Sequence, residues 1–362
     1  MKHKIFLITT FSLAVFFAVP VFAAPSITGV NGTITSNQNI IISGTSFGTG
    51  PNIVIFDDFE LGENGSYILS GNGSAQVGKW EAREGYPIYS NITSHSGNLS
   101  FRADTSLFSA QRIWTYMPTE TTKWFYSFWA YMPPEDNWPG AGRDPGGINW
   151  KMLWATMNQY LYGGLATPVM LGLANEYDWV QFTYAGDSPT NFINYPNLNM
   201  SKGSWYRIWG FANLDTNGLL QCWSFGENGV HAALNVSRDT SSATYVNIIK
   251  LNGYARDTAE GECHPMFDDV YVAAGNNARA RVEIGNQPIY NNCTNLTIIT
   301  PTEWSDSSVT ATVRQGSFND GEQAYLFVVD ENGDASEGYP VTFGGGSGDT
   351  TPPSSPSGLS AC

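Results

Sequence analysis

The chain has 362 residues, with 17 basic against 32 acidic side chains and a formal charge of −15. A surface so acidic excludes nucleic acid and anionic lipid as general partners, and it tolerates a polyanionic sugar only where basic residues gather in one cleft; neutral glycans meet no such penalty. Cysteine is scarce, four residues in all, so burial rather than cross-linking must hold the fold.

The opening stretch "MKHKIFLITTFSLAVFFAVPVFAAP" joins a basic start (Lys2, Lys4) to an apolar run and a small-residue exit, with Val21 and Ala23 at cleavage-site spacing. It predicts a secretory signal peptide over residues 1–23 and a secreted or cell-surface protein. No later stretch reads as a transmembrane segment. Secretion permits disulfides. Of Cys222, Cys263, Cys293 and Cys362, the first two fall in one segment and are the preferred pair, the other pairings staying open. The absence of a Cys-x-x-Cys spacing speaks against structural zinc.

Beyond the leader, short alternating runs follow one another: "NIIISGTSF", "RIWTYM", "KWFYSFWAYM", "SWYRIWGFA", "QAYLFVVD". Turn formers such as "DTNG" and "DENG" separate them, and no 3.6-residue apolar period persists over three turns, which predicts an all-β chain of antiparallel sheets. Eleven of the twelve tryptophans lie between Trp80 and Trp223, setting a Trp-rich centre apart from its flanks. The centre is bracketed by a near-repeat, "NIVIFDDFELG" (Asn52 to Gly62) and "PMFDDVYVAAG" (Pro265 to Gly275). A domain inserted into another must have its two ends side by side, so the two Phe-Asp-Asp runs are expected as adjacent strands. Their carboxylates, Asp57, Asp58, Asp268 and Asp269 with Glu60 nearby, would then supply hard oxygen ligands suited to Ca²⁺. Residues 344–362, "GGGSGDTTPPSSPSGLSAC" after Phe343, read as a flexible linker or tail.

The N-terminal flank, residues 25–56 ("PSITGVNGTITSNQNIIISGTSFGTGPNIVIF"), resembles the opening of an IPT/TIG immunoglobulin-like domain. The C-terminal flank, residues 278–343 with "WSDSSVTATV" and "DENGDAS", resembles the remainder. Together they have the size of one immunoglobulin-like sandwich. The centre, residues 57–275, resembles the concanavalin-like jelly-roll superfamily and, within it, the heparin-lyase-like and alginate-lyase-like polysaccharide lyases. The resembling stretches are "SHSGNLSFRAD", "KWFYSFWAYMPPEDNW", "INWKMLW", "GSWYRIWGFANLDTNGLLQCW" and the closing "FDDVYV". The resemblance implies an all-β fold in which a jelly-roll sandwich is inserted into an immunoglobulin-like one.

It also implies an extracellular polysaccharide as partner and brings β-elimination into view: a base takes the proton beside a uronate carboxylate while cations or amides neutralise that carboxylate. The lyases' Lys-x-Gly-x-Tyr segment has its nearest match in "KLNGY", where Lys250 and Tyr254 keep the spacing, Gly253 comes one place late and Arg256 follows. In a regular strand these three share a face; Tyr254, Lys250 and Arg256 are the candidate catalytic residues. In "NWKMLWATMN", which stands where the lyases carry Gln-x-His, Asn149 and Lys151 are expected on one face and Trp150, Met152 and Trp154 on the other. Lys151, Asn149 and Trp154 are the candidate substrate-binding residues. No histidine falls there; His95, His231 and His264 read as surface or structural. The Glu-x-Asp-x-x-Glu set of jelly-roll glycosidases is missing, as are a nucleophile elbow and a P-loop. Tryptophan and tyrosine rings suited to stacking on sugars remain. The sequence therefore reads as a secreted or cell-surface polysaccharide-binding protein, with a uronate-directed polysaccharide lyase and a structural surface or adhesion module as alternatives.

Overall fold

The computed structural model describes residues 23–104, 111–136, 149–156, 169–173, 180–185, 192–194, 202–215, 218–226, 231–237, 245–256 and 263–344. The expected leader up to Phe22 and the expected tail from residue 345 lie outside them. The first strands are β1 (Ser26–Asn31), β2 (Asn39–Thr45), β3 (Asn52–Asp57), β4 (Val77–Gly78), β5 (Ala82–Glu84), β6 (Ile88–Ser90), β7 (Ser100–Arg102), β8 (Arg112–Thr121) and β9 (Lys123–Tyr131). Then come β10 (Asn149–Thr156), β11 (Val169–Leu173), β12 (Val180–Ala185), β13 (Phe192–Asn194), β14 (Trp205–Asn213), β15 (Leu219–Gly226), β16 (His231–Ser237), β17 (Val246–Arg256) and β18 (Met266–Ala274). The last are β19 (Arg281–Gly285), β20 (Leu296–Ser305), β21 (Ser308–Thr312), β22 (Gln323–Val329) and β23 (Tyr339–Thr342). Among the described residues there is no α-helix, so the chain is all-β.

Two sheets belong to the centre. One runs β13-β12-β11-β10-β17-β8-β5, the other β16-β15-β14-β9-β18-β3-β4. Their facing sides enclose one apolar core, with Ile113, Met152, Leu153, Ile249 and Leu251 from the first sheet and Trp124, Tyr126, Phe128, Ile208 and Val272 from the second. The third sheet, β1-β2-β21-β20-β19-β22-β23, draws its strands from both chain flanks. It encloses a separate core of Ile40, Ile42, Phe47, Val282, Ile299, Val309, Leu326 and Val328. Strand β20 serves both halves of that unit: Leu296–Ile299 pairs with β19, and Thr300–Ser305 with β21.

The two Phe-Asp-Asp strands are neighbours. β3 pairs antiparallel with β18, Asp57 opposite Val270 and Phe56 opposite Tyr271. The expected boundary after Phe56 falls inside β3, because the whole of Asn52–Asp57 pairs with β18 in the nine-stranded sheet and none of it with the flank strands.

Burial explains why the strands differ in pattern. A strand covered on both faces reads as a continuous apolar run, and one covered on a single face alternates. β9, "KWFYSFWAY", is buried from Trp124 to Ala130: Trp124, Tyr126 and Phe128 face the central core, while Phe125 and Trp129 pack in clusters with Ile298, Leu296 and Phe327 of the flank unit. β8 alternates instead, with Ile113 and Met117 buried and Trp114 and Tyr116 turned outward. The nine-stranded sheet is thus sandwiched between two layers, and the seven-stranded central sheet keeps an outer face that carries polar and aromatic side chains.

None of Cys222, Cys263 and Cys293 is in a disulfide; all three are buried. The expected Cys222–Cys263 bridge is corrected accordingly: Cys222 is a buried thiol of the central core. Cys362 lies outside the described residues. No helix among the described residues is long and apolar enough to cross a membrane.

Candidate functional site

The six candidate catalytic and substrate-binding positions all fall on β10 and β17, and they pair across that ladder. Asn149 stands opposite Arg256, Lys151 opposite Tyr254, and Trp154 opposite Lys250. Of Asn149, Tyr254 and Arg256 the backbone alone is described; the other three side chains form a cluster. The Lys151 and Lys250 ammonium groups lie 5.8 and 5.3 Å from the Trp154 ring centroid. Such contacts contribute roughly 0.5–2 kcal/mol each, the larger value when desolvated.

Two irregularities make this cluster. Against β11, β10 inserts an extra residue between Lys151 and Leu153, so Met152 and Leu153 both enter the core. Lys151 and Trp154 consequently share a side. The period-two reading, which puts them on opposite faces, is corrected by this bulge, since one inserted residue reverses the alternation beyond it. At the same level β17 takes three steps from Leu251 to Tyr254 while β10 takes two. Buried Asn252 occupies the left-handed region there (φ 49°) and its Nδ2 donates to the Gln111 carbonyl at 2.6 Å. Asparagine is among the few non-glycine residues that adopt this conformation readily, and Gly253 follows it. The "KLNGY" segment is a bulge rather than a regular strand.

β8 extends the site. Trp114 is opposite Lys250 on the side away from Trp154, so Trp114, Lys250 and Trp154 form one row across three strands. Next to them Arg112 donates from Nε to the Glu84 carboxylate at 2.7 Å, with a second, shorter bond from Nη2. Lys250 is fully buried. Burial, with the Arg112 guanidinium adding repulsion and Glu84 opposing it, pulls its ammonium down to about 7. Burial likewise pulls Lys151 down to about 8. The Trp154 indole Nε1 is buried and has no hydrogen-bond acceptor among the described residues.

The four candidate metal ligands are close in space yet committed elsewhere. Asp57 turns inward, accepting from Trp80 Nε1 at 2.6 Å and from the Phe59 amide at 2.9 Å; burial pushes its carboxyl up to about 8. Asp58 accepts from the Gln76 amide and lies 3.7 Å from Arg314 of the flank unit, and burial followed by repulsion from Asp269 raises it to about 6. Asp268 accepts from the His95 and Ser96 amides at 2.8 and 3.0 Å, with burial pushing its carboxyl well up. Asp269, at φ 47°, accepts from Ser96 Oγ at 2.7 Å and meets His95 Nδ1 at 2.8 Å. Among the described residues no group of three or more His, Cys, Asp or Glu is arranged to hold a metal ion. This donor set, saturated with N–H and O–H partners, does not fit a Ca²⁺ cage.

His95 is buried, stacked on Trp129 with ring centroids 3.5 Å apart. The His264 ring binds Asp136 at 2.8 Å, a hydrogen bond that raises its pKa. Both rings are engaged by carboxylates, Asp269 and Asp136; the His231 side chain lies outside the described residues. Sequence reasoning did not single out Arg112, Glu84 or Trp114 as one group, because only the β8–β17 and β5–β8 registers unite them.

No family model and no curated protein sequence matches the chain. Among solved structures it is similar to an endo-β-1,4-glucuronan lyase from the fungus Trichoderma reesei, at 13% identity over 58% of this chain and 94% of that one, with TM-score 0.40. It is similar to the alginate lyase Aly36B, at 11% identity over 62% and 97%, TM-score 0.41. A Lotus tetragonolobus seed lectin matches at 10% identity over 53% and 95%, TM-score 0.34. Likenesses of this size do not bear on what this chain binds or does.

Proposed function

We propose that this chain is a secreted or cell-surface protein that binds polysaccharide on the outer face of the seven-stranded central sheet, around Trp154. One observation carries the reading: Trp114, Lys250 and Trp154 lie in one cross-strand row, with Lys151 over the same indole. Aromatic faces match the C–H faces of sugar rings, and the ammonium groups and the indole N–H fix polar substituents. In a chain of net charge −15, gathering cations at one place favours an acidic glycan, which the remaining surface repels. The flanks, whose strands share one sheet, fit an IPT/TIG-like unit interrupted by a jelly-roll-like centre.

A uronate lyase is the second reading, favoured by the Lys250 amine at about 7, two rungs along the ladder from the backbone pair of Tyr254 and Lys151. A group poised near neutrality is suited to proton transfer. Alginate and a glycosaminoglycan, each incubated with the full chain while absorbance of unsaturated uronate is followed, separate the two. The binding reading expects saturable affinity without new absorbance. Product formation that Tyr254→Phe abolishes while affinity persists would replace it with the lyase, because a proton-transferring phenol matters only in the transition state. Absence of both affinity and product would remove both.

A further inference from the structure

A cavity of about 450 Å³ opens on the opposite side of the molecule from Trp154, between the nine-stranded sheet and the flank unit. We propose that this cleft is a second carbohydrate site, built for a neutral sugar.

Its floor is a tryptophan pair. Trp209 and Trp223 are cross-strand partners on β14 and β15, nearly parallel (21°) with ring centroids 6.0 Å apart. Their next neighbours along the row are small, Ser127 and Ala233, so the indoles stand above the sheet. Nearby, Phe125 and Phe211 pack with Ile298 of the flank unit, whereas both indoles are only half-buried and line the cavity. An interface packed for stability alone would close over such large apolar rings.

The walls are polar and held in place. Arg279 donates to the Asn332 carbonyl at 2.6 Å and to Gln221. Arg281 donates to the Arg279 carbonyl at 2.7 Å and to the Tyr290 hydroxyl at 2.6 Å. Beneath the floor the Arg207 guanidinium sits 5.2 Å from the Trp209 ring, fixing it from one side. Groups immobilised before a ligand arrives lose little freedom on binding. The lip carries the exposed carboxylates of Asp334 and Glu337, which match Arg279 and Arg281 in number. The lining is therefore close to neutral, and it offers donors and acceptors beside flat aromatic surface, the combination that a neutral pyranose with its hydroxyl groups requires. A uronate would meet Asp334 and Glu337 at the entrance. The size falls within the roughly 300–1,000 Å³ of small-ligand pockets, which favour domain interfaces.

The test uses the full chain, titrated calorimetrically with hexasaccharides of β-1,4-linked glucose, mannose and xylose. At least one should bind. Trp223→Ala should weaken that binding tenfold or more and the Asp334→Asn/Glu337→Gln pair severalfold, while Tyr67→Ala, at an exposed tyrosine elsewhere, leaves it unchanged. Melting curves establish that each variant is folded; if Trp223→Ala is not, the lip variant alone decides. The proposal is overturned if none of the three sugars binds, or if binding is indifferent to the folded Trp223 and lip variants.

Discussion

Two places among the described residues bury positive charge, and they surround it differently. Between the nine-stranded sheet and the flank unit, Arg207 reaches one oxygen of Glu283, and Arg281 lies 3.3 Å from the other, which accepts from the Tyr290 hydroxyl. The two arginines hold the Glu283 carboxyl below its usual range despite complete burial. On the outer face of the other sheet, Lys151 and Lys250 lie against an indole instead, and burial outweighs the help that Lys250 receives from Glu84. The first arrangement is internally compensated and joins two units. The second sets two ammonium groups beside one indole on the outer face of a sheet, the arrangement on which the proposed glycan site rests.

Breaking the compensated cluster should have the largest effect. Glu283→Gln leaves Arg207 and Arg281 buried without their counter-charge and should cost about 3–5 kcal/mol, as removal of one partner from a buried ion pair generally does. Chemical denaturation of the variant measures it; a loss below about 1 kcal/mol would mean that the cluster is solvated.

At the lysine site the sign reverses. The Lys250 ammonium titrates at about 7 in the fold against 10.5 ordinarily, so between those values the native state holds fewer protons than the unfolded one. Stability contributed by this group therefore rises with pH from 7 to 10.5, and the full penalty applies below 7. Lys250→Met should stabilise the protein by about 2–4 kcal/mol at pH 6, a gain that fades by pH 10. A pH-independent effect of the substitution would contradict the shift.

Ligand binding sharpens the same contrast. A uronate placed against Lys151 and Lys250 favours their charged forms, so binding at pH 8 should take up protons and affinity should fall severalfold from pH 7 to 9. Calorimetry in buffers of different ionisation enthalpy reads this directly, and a neutral oligosaccharide should show no uptake. Calcium should have the smallest effect: with Asp57, Asp58, Asp268 and Asp269 already hydrogen-bonded, the melting temperature should move by less than a degree or so on adding Ca²⁺ or chelator, whereas metal held by the native state alone would raise it by mass action.

How much of this the sequence revealed depends on the range of the signal. The adjacency of the two Phe-Asp-Asp strands was legible because a topological demand, ends that meet, accompanied a local repeat. The all-β reading rested on alternation, which survives in β8, while β9 is a continuous run because a second layer covers it. Strand parity failed at Lys151 and Trp154, since a bulge is one residue long and leaves no periodic trace; the separate bulge of β17 coincides with the Asn252–Gly253 pair in "KLNGY". The acidic pairs were legible as neighbours, whereas their hydrogen-bond partners, Trp80 and the amides of His95 and Ser96, lie too far along the chain to be read from a local pattern. Arg207 and Glu283 are 76 residues apart, and no local pattern couples them.

The claim that the Trp154 face is a glycan site is tested most directly by titrating a uronate hexasaccharide into the full chain and into Trp154→Ala, with Lys151→Gln as a milder variant of the same face. The account predicts saturable binding that weakens by about 1–3 kcal/mol in Trp154→Ala, the range of one aromatic stacking and burial contribution, and by a smaller amount in Lys151→Gln. Equal affinity in all three proteins, or no binding by the unaltered chain, would contradict it.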